Sequence, residues 1–134
     1  MPILNPESFT LPSSASSLSI PASSQALFIV FLASKDPQTQ KPWCPDVVAT
    51  LPTLEATFTG AKKPTVAFVE VGQRPEWRVP TNVFRTKWNV HNVPTLVKYE
   101  NLGGEIKETG RLVEREILDD TKLQKLLAGA GADV

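Results

Sequence analysis

The distribution of hydrophobic and polar positions along the chain predicts strands that alternate with helices. Residues 26–33 form a continuous apolar run, which is typical of a central strand covered on both faces. Residues 65–71 are rich in β-branched side chains and predict a second central strand. Between these strands, apolar side chains recur at helical spacing and predict a helix with one buried face. The residues of that face are Val47, Leu51, Leu54 and Phe58, with Pro52 inside the helix and Gly60 at its end.

The second half of the chain continues this alternation. Residues 72–80 predict a loop, and residues 81–88 predict a short helix. Residues 96–99 and 105–112 predict the two strands of a hairpin, and a last helix is expected within residues 119–129. The order of these elements predicts an α/β fold with a central mixed sheet flanked by helices.

Residues 1–25 differ from the rest because they are rich in Ser and Pro, a composition that is common in disordered tails. This segment also carries apolar side chains that can be buried, so we expect a packed edge with little regular structure. Those side chains are Phe9, Leu11, Leu18 and Ile20. With 134 residues in total, the chain is expected to form one domain over residues 1–134.

Composition and charge exclude several classes of function. Fourteen basic side chains balance fourteen acidic ones and are scattered, so no basic face is available for nucleic acid or an anionic membrane surface. The apolar run at 26–33 is too short to span a bilayer, and no basic residue precedes it as in a signal peptide. The single cysteine rules out an internal disulfide. These features predict a cytoplasmic protein, monomeric unless Cys44 links two copies.

Cys44 is the only cysteine and the strongest candidate for chemistry. It lies between Trp43 and the Pro45-Asp46 start of the predicted helix, after a polar loop at 34–42. The N–H groups of a first helical turn have no partners inside the helix, and the helix dipole is positive there. Both effects stabilise a thiolate, so this position favours a reactive thiol. The alternative is a buried cysteine that packs as a small hydrophobic side chain.

Asp46 and His91 are candidates for tuning that thiol. Asp46 is either a helix-start acid that interacts with the dipole or a carboxylate that opposes thiolate formation. His91 is either a surface residue or an imidazole beside the thiol. One Cys and one His cannot supply four metal ligands without carboxylates at a recognisable spacing, so no metal site is predicted.

Val93-Pro94-Thr95 precedes the first strand of the hairpin and indicates where a substrate would bind. X-Pro bonds are the ones that adopt the cis form, and a cis proline before a strand exposes the preceding backbone. An exposed N–H and C=O beside a reactive sulfur can pair with an extended peptide or with a disulfide substrate. We therefore assign Val93, Pro94 and His91 to the expected substrate-binding region. The alternative is an ordinary trans proline at the start of a strand.

Several short motifs together resemble the 14 kDa thioredoxin-related proteins, also called thioredoxin domain-containing protein 17 or Clot. The motifs are Ser34-Lys35-Asp36, Trp43-Cys44-Pro45-Asp46, Gly72-Gln73-Arg74-Pro75-Glu76-Trp77, Phe84-Arg85 and Val93-Pro94-Thr95-Leu96. The resemblance covers about residues 26–128. It implies a thioredoxin-like fold with Pro94 as the cis proline and Cys44 as the exposed nucleophile. It also implies a cytosolic reductase of small disulfides, kept reduced by thioredoxin reductase, whose long loop at 34–42 narrows substrate choice.

Position 47 departs from the family pattern, which follows W-C-P-D with a second cysteine. In a dithiol reductase the first thiolate attacks a disulfide and the second thiol resolves the mixed disulfide. Val47 has no sulfur, so we expect a monothiol oxidoreductase that acts on small-molecule or glutathione mixed disulfides through Cys44 and that an external thiol regenerates. Val47 suits the apolar helix face, which favours a natural valine over an engineered replacement.

No tightly bound cofactor is expected, and glutathione is the expected co-substrate. The expected partners are disulfide or glutathionylated substrates, with the glutathione system or thioredoxin reductase as the source of electrons. Two other functions stay open. One is a redox-inactive binding module, in which a groove formed by Trp43, Pro45, Val93 and Pro94 holds a partner peptide. The other is a redox sensor in which Cys44 is capped reversibly.

Overall fold

The computed structural model describes residues 3–4, 12, 18, 26–58 and 65–127. Within these ranges, five strands form one mixed sheet in the order β1-β3-β2-β4-β5. The strands are β1 (Ile3–Leu4), β2 (Leu27–Leu32), β3 (Thr65–Glu70), β4 (Thr95–Leu102) and β5 (Glu105–Val113). The helices are α1 (Pro45–Phe58), α2 (Arg74–Trp77), α3 (Val83–Thr86) and α4 (Asp120–Leu127), and a 3₁₀ helix (Glu114–Leu118) lies between β5 and α4. The predicted α/β architecture with a central mixed sheet is confirmed.

Strand β2 occupies the centre of the sheet. It runs parallel to β3 and antiparallel to β4, and all six of its residues are buried. Strands cover both edges of β2 and helices cover both faces, so its residues are at most 7% exposed. This is the physical reason for the continuous apolar run in the sequence.

The two faces of the sheet are covered by different helices. Phe28 points to the α1 side, where its ring centroid lies 5.4 Å from that of Phe58. Phe31 points to the other side, where its ring meets those of Phe84 and Trp88 at 6.0 and 5.9 Å. Tyr99 packs edge-on against Trp88, and burial raises the pKa of its hydroxyl. The alternation of β2 side chains therefore builds one apolar layer on each face.

Helix α1 begins immediately after Cys44 and buries most of the predicted face. Val47, Leu54 and Phe58 are fully buried, whereas Leu51 is only half-buried. The fourth buried position is Thr50. Its hydroxyl donates to the carbonyl oxygens of Asp46 and Val47, at 2.9 and 3.1 Å. Because its hydroxyl is hydrogen-bonded within the helix, Thr50 can occupy a core position. The apolar spacing had predicted Leu51 for the buried face instead. The predicted helix end at Gly60 lies outside the described residues.

Two helices lie where the sequence pattern predicted none. Residues 72–80 contain α2, whose N-terminus is closed by a hydrogen bond of 2.8 Å from the Gln73 N–H to the Glu76 carboxylate. The 3₁₀ helix is closed in the same way, by a bond of 2.9 Å from the Val113 N–H to Glu116. Each element is too short for a hydrophobic period to reveal it, and each depends on a local cap instead.

The described residues of the N-terminal segment include one short strand. Residues 3–4 form β1, which pairs in parallel with residues 66–67 of β3 at the edge of the sheet. Leu18 is buried, as expected of a packed segment. Phe9, Leu11 and Ile20 lie outside the described residues, and the single-domain boundary at 1–134 stays a prediction.

Replacement of Phe58 by Ala should destabilise the protein by about 3–5 kcal/mol, because it removes a fully buried ring that packs against Phe28. Urea unfolding would measure the loss. Leu102→Ala is the control, since Leu102 is 49% exposed and its truncation should cost at most about 0.5 kcal/mol. Equal losses in the two variants would contradict the position of Phe58 in the core.

Candidate active site around Cys44

Cys44 is the residue that caps the start of α1. Its carbonyl oxygen accepts hydrogen bonds from the N–H groups of Val47 and Val48 at 3.1 and 3.2 Å. The side chain is half-buried and its thiol is free. Cys44 thus lies at the N-terminal end of α1, directly before its first residue, Pro45.

The Val93-Pro94 segment lies against this thiol, although 49 residues separate it from Cys44 in sequence. The Cys44 Sγ lies 3.6 Å from the Val93 carbonyl oxygen and donates to it. The Val93–Pro94 bond is cis, as the sequence suggested. The carbonyl oxygen of Pro94 accepts from the Glu114 N–H at 2.7 Å, so it is already occupied. The backbone beside the sulfur is therefore that of Val93.

Gly72 anchors Trp43, the residue immediately before the thiol. The Trp43 indole Nε1–H donates to the Gly72 carbonyl oxygen at 2.9 Å, and the Ser34 N–H donates to the same oxygen at 3.3 Å. The Gly72 N–H in turn donates to the Ser34 hydroxyl at 2.9 Å. Gly72 has φ +105°, and a Cβ there would lie 3.1 Å from the Glu76 side chain. Glycine at this position therefore meets both a conformational and a steric requirement.

An open groove of about 840 Å³, here called the Trp43 groove, lies at the start of α1. The 34–42 loop forms one wall and is tied to α2 by a hydrogen bond of 2.7 Å from Gln73 Nε2 to the Lys35 carbonyl oxygen. The groove is lined by Asp36, Thr39, Lys41, Pro42, Trp43, Pro45, Val48, Gln73, Arg74 and Pro75. Val93, Pro94 and His91 do not line it, so the backbone beside the sulfur and the groove are separate surfaces.

Asp46 forms an ion pair with Arg115, a residue of the 3₁₀ helix. Arg115 Nε lies 2.8 Å from Asp46 Oδ1, and their side chains are 62% and 29% exposed. An exposed pair of this kind contributes at most about 1 kcal/mol to stability. The pair places the positive charge of Arg115 beside the Asp46 carboxylate at the start of the helix.

His91 and Val47 were both expected at the site, and the structure places them differently. The His91 ring is exposed, and its Nε2 lies 2.7 Å from the Asn89 side-chain oxygen. Val47 is fully buried on the core face of α1. The expected roles of His91 in substrate binding and of Val47 in the surroundings of the thiol stay predictions.

Sequence reasoning did not select Gly72, Arg74 or Arg115 as site residues. Gly72 and Arg74 belong to a motif that carried the family resemblance, and that motif was the available signal. Arg115 has no such signal, because only the fold brings it to Asp46 across 69 residues.

Neither a metal centre nor a membrane span is found in the part of the chain that the structure describes. No three His, Cys, Asp or Glu side chains in those ranges converge as metal ligands would. None of the helices there combines the length and the apolar character needed to cross a membrane.

A thiol at the start of a helix, facing a cis proline next to a mixed sheet, defines the class of thioredoxin-fold proteins. Solved structures agree on the fold. Trichomonas vaginalis thioredoxin superposes with a TM-score of 0.53 at 19% identity, covering 78% of this chain and 80% of that one. Plasmodium falciparum thioredoxin gives 0.54 at 17% identity, covering 78% and 73%.

Sequence comparison defines the group within that class. The profile of the family described as "Thioredoxin domain-containing protein 17-like, thioredoxin domain" matches residues 13–129, and the chain belongs to that family. Thioredoxin domain-containing protein C21C3.12c of Schizosaccharomyces pombe is 42% identical over 113 residues, which is 84% of this chain and 90% of the relative. Human thioredoxin domain-containing protein 17 is 32% identical over 105 residues, 78% and 79% of the two chains. The chain is therefore a thioredoxin-fold redox protein.

Replacement of Gly72 by Ala should destabilise the protein more than replacement of Gly103 by Ala. Both glycines have positive φ, but a Cβ at Gly103 meets nothing within 4 Å, whereas one at Gly72 meets Glu76. Gly103→Ala should cost about 1–2 kcal/mol from the backbone alone. Gly72→Ala should cost at least about 1 kcal/mol more, since steric contact is added to a less favourable φ. Urea unfolding of the pair measures the difference, and equal losses would contradict the tight fit at Gly72.

Proposed function

We propose that this protein is a cytoplasmic monothiol thiol–disulfide oxidoreductase that acts on small-molecule or glutathione mixed disulfides. The observation that carries the proposal is the position of Cys44, the only cysteine, half-exposed at the start of α1 with its sulfur 3.6 Å from the Val93 carbonyl oxygen. Val47, at the position where the family pattern has its second cysteine, is buried and has no sulfur. The thiol can therefore begin an exchange but needs a second molecule to complete it.

The proposed reaction has two balanced exchange steps. In the first, the Cys44 thiolate attacks the glutathionyl sulfur of a mixed disulfide. A Cys44–glutathione disulfide forms, the substrate disulfide breaks, and the substrate sulfur leaves as a thiolate that takes a proton from water. In the second, the thiolate of free glutathione attacks the glutathionyl sulfur on Cys44. Oxidised glutathione forms and the Cys44 thiolate is released.

Groups around the sulfur support this chemistry without a bound cofactor. Cys44 lies at the start of α1, where its half-buried thiol can meet a disulfide. Arg115 balances the negative charge of Asp46 beside it. Val93 offers backbone next to the sulfur, where an extended substrate would pair. Glutathione serves as co-substrate, and the glutathione system, or thioredoxin reductase, supplies the electrons.

Turnover of a glutathionylated peptide in the presence of glutathione and glutathione reductase tests the proposal. The parent protein should accelerate release of the peptide thiol, and Cys44→Ser should abolish that acceleration because no other cysteine can take over. Mass spectrometry after treatment with oxidised glutathione should show one glutathione adduct. A parent protein that forms the adduct but shows no turnover would favour the redox sensor. If the parent protein and Cys44→Ser bind a partner peptide equally well, and neither forms an adduct or shows turnover, the binding module is favoured.

Val47→Cys should convert the site to a dithiol. Positions 44 and 47 lie three residues apart at the start of α1, so both sulfurs should meet on oxidation. The variant should lose two mass units and both alkylatable thiols on oxidation, and it should accept electrons from thioredoxin reductase. Val48→Cys is the control, because Val48 is 40% exposed and lines the Trp43 groove instead. An internal disulfide in Val48→Cys but not in Val47→Cys would contradict the proposed role of position 47.

A further inference from the structure

We propose that the Trp43 groove binds a carboxylate of the glutathionyl half of the substrate and that Arg74 is the residue that contacts it. The inference rests on the proposed function, because it names the part of the substrate that the site recognises. The groove adjoins Cys44 along the chain, since the residues on both sides of it, Trp43 and Pro45, line the groove. We infer that a group bonded to the Cys44 sulfur can extend into the groove.

Arg74 is held in place on the groove wall. Its guanidinium carbon lies 5.2 Å from the centre of the Trp43 ring, and its Nη2 donates to the Trp43 carbonyl oxygen at 3.1 Å. These two contacts orient the plane of the guanidinium but use only part of its donor set, which numbers five N–H groups. An arginine that is oriented in advance loses little entropy when it binds a carboxylate, and the planar group suits bidentate contact.

The positive charge of the groove is not balanced by the residues around it. Within the described ranges, none of the ion pairs involves Arg74 or Lys41, the two basic residues of the lining. The one acidic lining residue, Asp36, directs Oδ1 into its own loop, where it accepts from the N–H groups of Gln38 and Thr39 at 2.7 and 3.4 Å. Two cations and one carboxylate leave a net charge of +1 in the groove.

Half of the lining residues are apolar, and their surface suits a short peptide. These residues are Pro42, Trp43, Pro45, Val48 and Pro75. Glutathione combines a thiol with two carboxylates on a tripeptide whose extended length is about 10 Å. The proposal places one of these carboxylates at the groove wall while the glutathionyl sulfur stays at Cys44. A disulfide partner without a carboxylate would use the apolar walls but would leave the Arg74 charge unpaired.

Turnover of two matched substrates tests the role of Arg74. One reporter peptide thiol is blocked either with glutathione or with cysteamine, which carries no carboxylate. In Arg74→Gln the ratio of kcat/KM for the glutathionylated over the cysteamine-blocked reporter should fall about tenfold, as for loss of a charge-assisted hydrogen bond. Arg78→Gln, the same change of charge at an exposed arginine outside the groove, should leave the ratio unchanged. An equal fall for both substrates would overturn the proposal, because Arg74 would then act only through Trp43.

Binding without turnover separates this inference from the proposed function. Calorimetry with S-methylglutathione and the Cys44→Ser protein should give an affinity that falls about tenfold when Arg74→Gln is added. The diester of S-methylglutathione should bind both proteins equally weakly. No detectable binding of S-methylglutathione, or binding that does not depend on Arg74, would overturn the inference. Arg74-dependent binding with no turnover by the parent protein would uphold it and refute the reductase function.

Discussion

The backbone of Gly72 connects the sheet to the start of α1, and the position of Cys44 depends on that connection. Ser34 follows β2, Gly72 follows β3 and Trp43 precedes the thiol, yet all three meet through the N–H and carbonyl groups of the glycine. The Trp43 indole is half-buried and its N–H needs an acceptor there. Because the carbonyl oxygen of Gly72 provides it, the residue that leads into Cys44 is held against the end of the sheet.

The surroundings of Cys44 have two sides. One side is occupied by the Val93-Pro94 backbone, and the other is open to solvent. On the occupied side the sulfur donates to the Val93 carbonyl oxygen, and the next carbonyl, that of Pro94, is taken by the Glu114 N–H. On the open side lies the Trp43 groove. The proposed function requires the thiol to meet two sulfur-bearing molecules in succession, and a broad groove suits the exchange of one for the other. Val47 is buried and packs α1 against the core.

Elements long enough to show a clear apolar pattern were predictable from the sequence. Strand β2, helix α1 and the β4–β5 hairpin lie close to their expected ranges, because burial on a sheet or a helix face imposes a repeat that local sequence must satisfy. Thr50 shows the limit of that reasoning, since a hydroxyl bonded within the helix can take a core position. The hydrophobic pattern did not predict strand β1, helix α2 or the 3₁₀ helix. Elements of two to five residues are too short to show a repeat, and they depend on strand pairing or on caps.

The sequence alone determined the fold class and the chemistry that is available. A single cysteine before a helix, a valine three residues after it, and a proline before a strand are local facts, and they limit the protein to one cysteine sulfur. The tertiary structure decided what surrounds that sulfur. Arg115 reaches Asp46 across 69 residues, Gly72 reaches Trp43 across 29, and Arg74 stacks on the same ring. These contacts arise only when the sheet brings the ends of its strands together, and no local pattern of residues encodes that proximity.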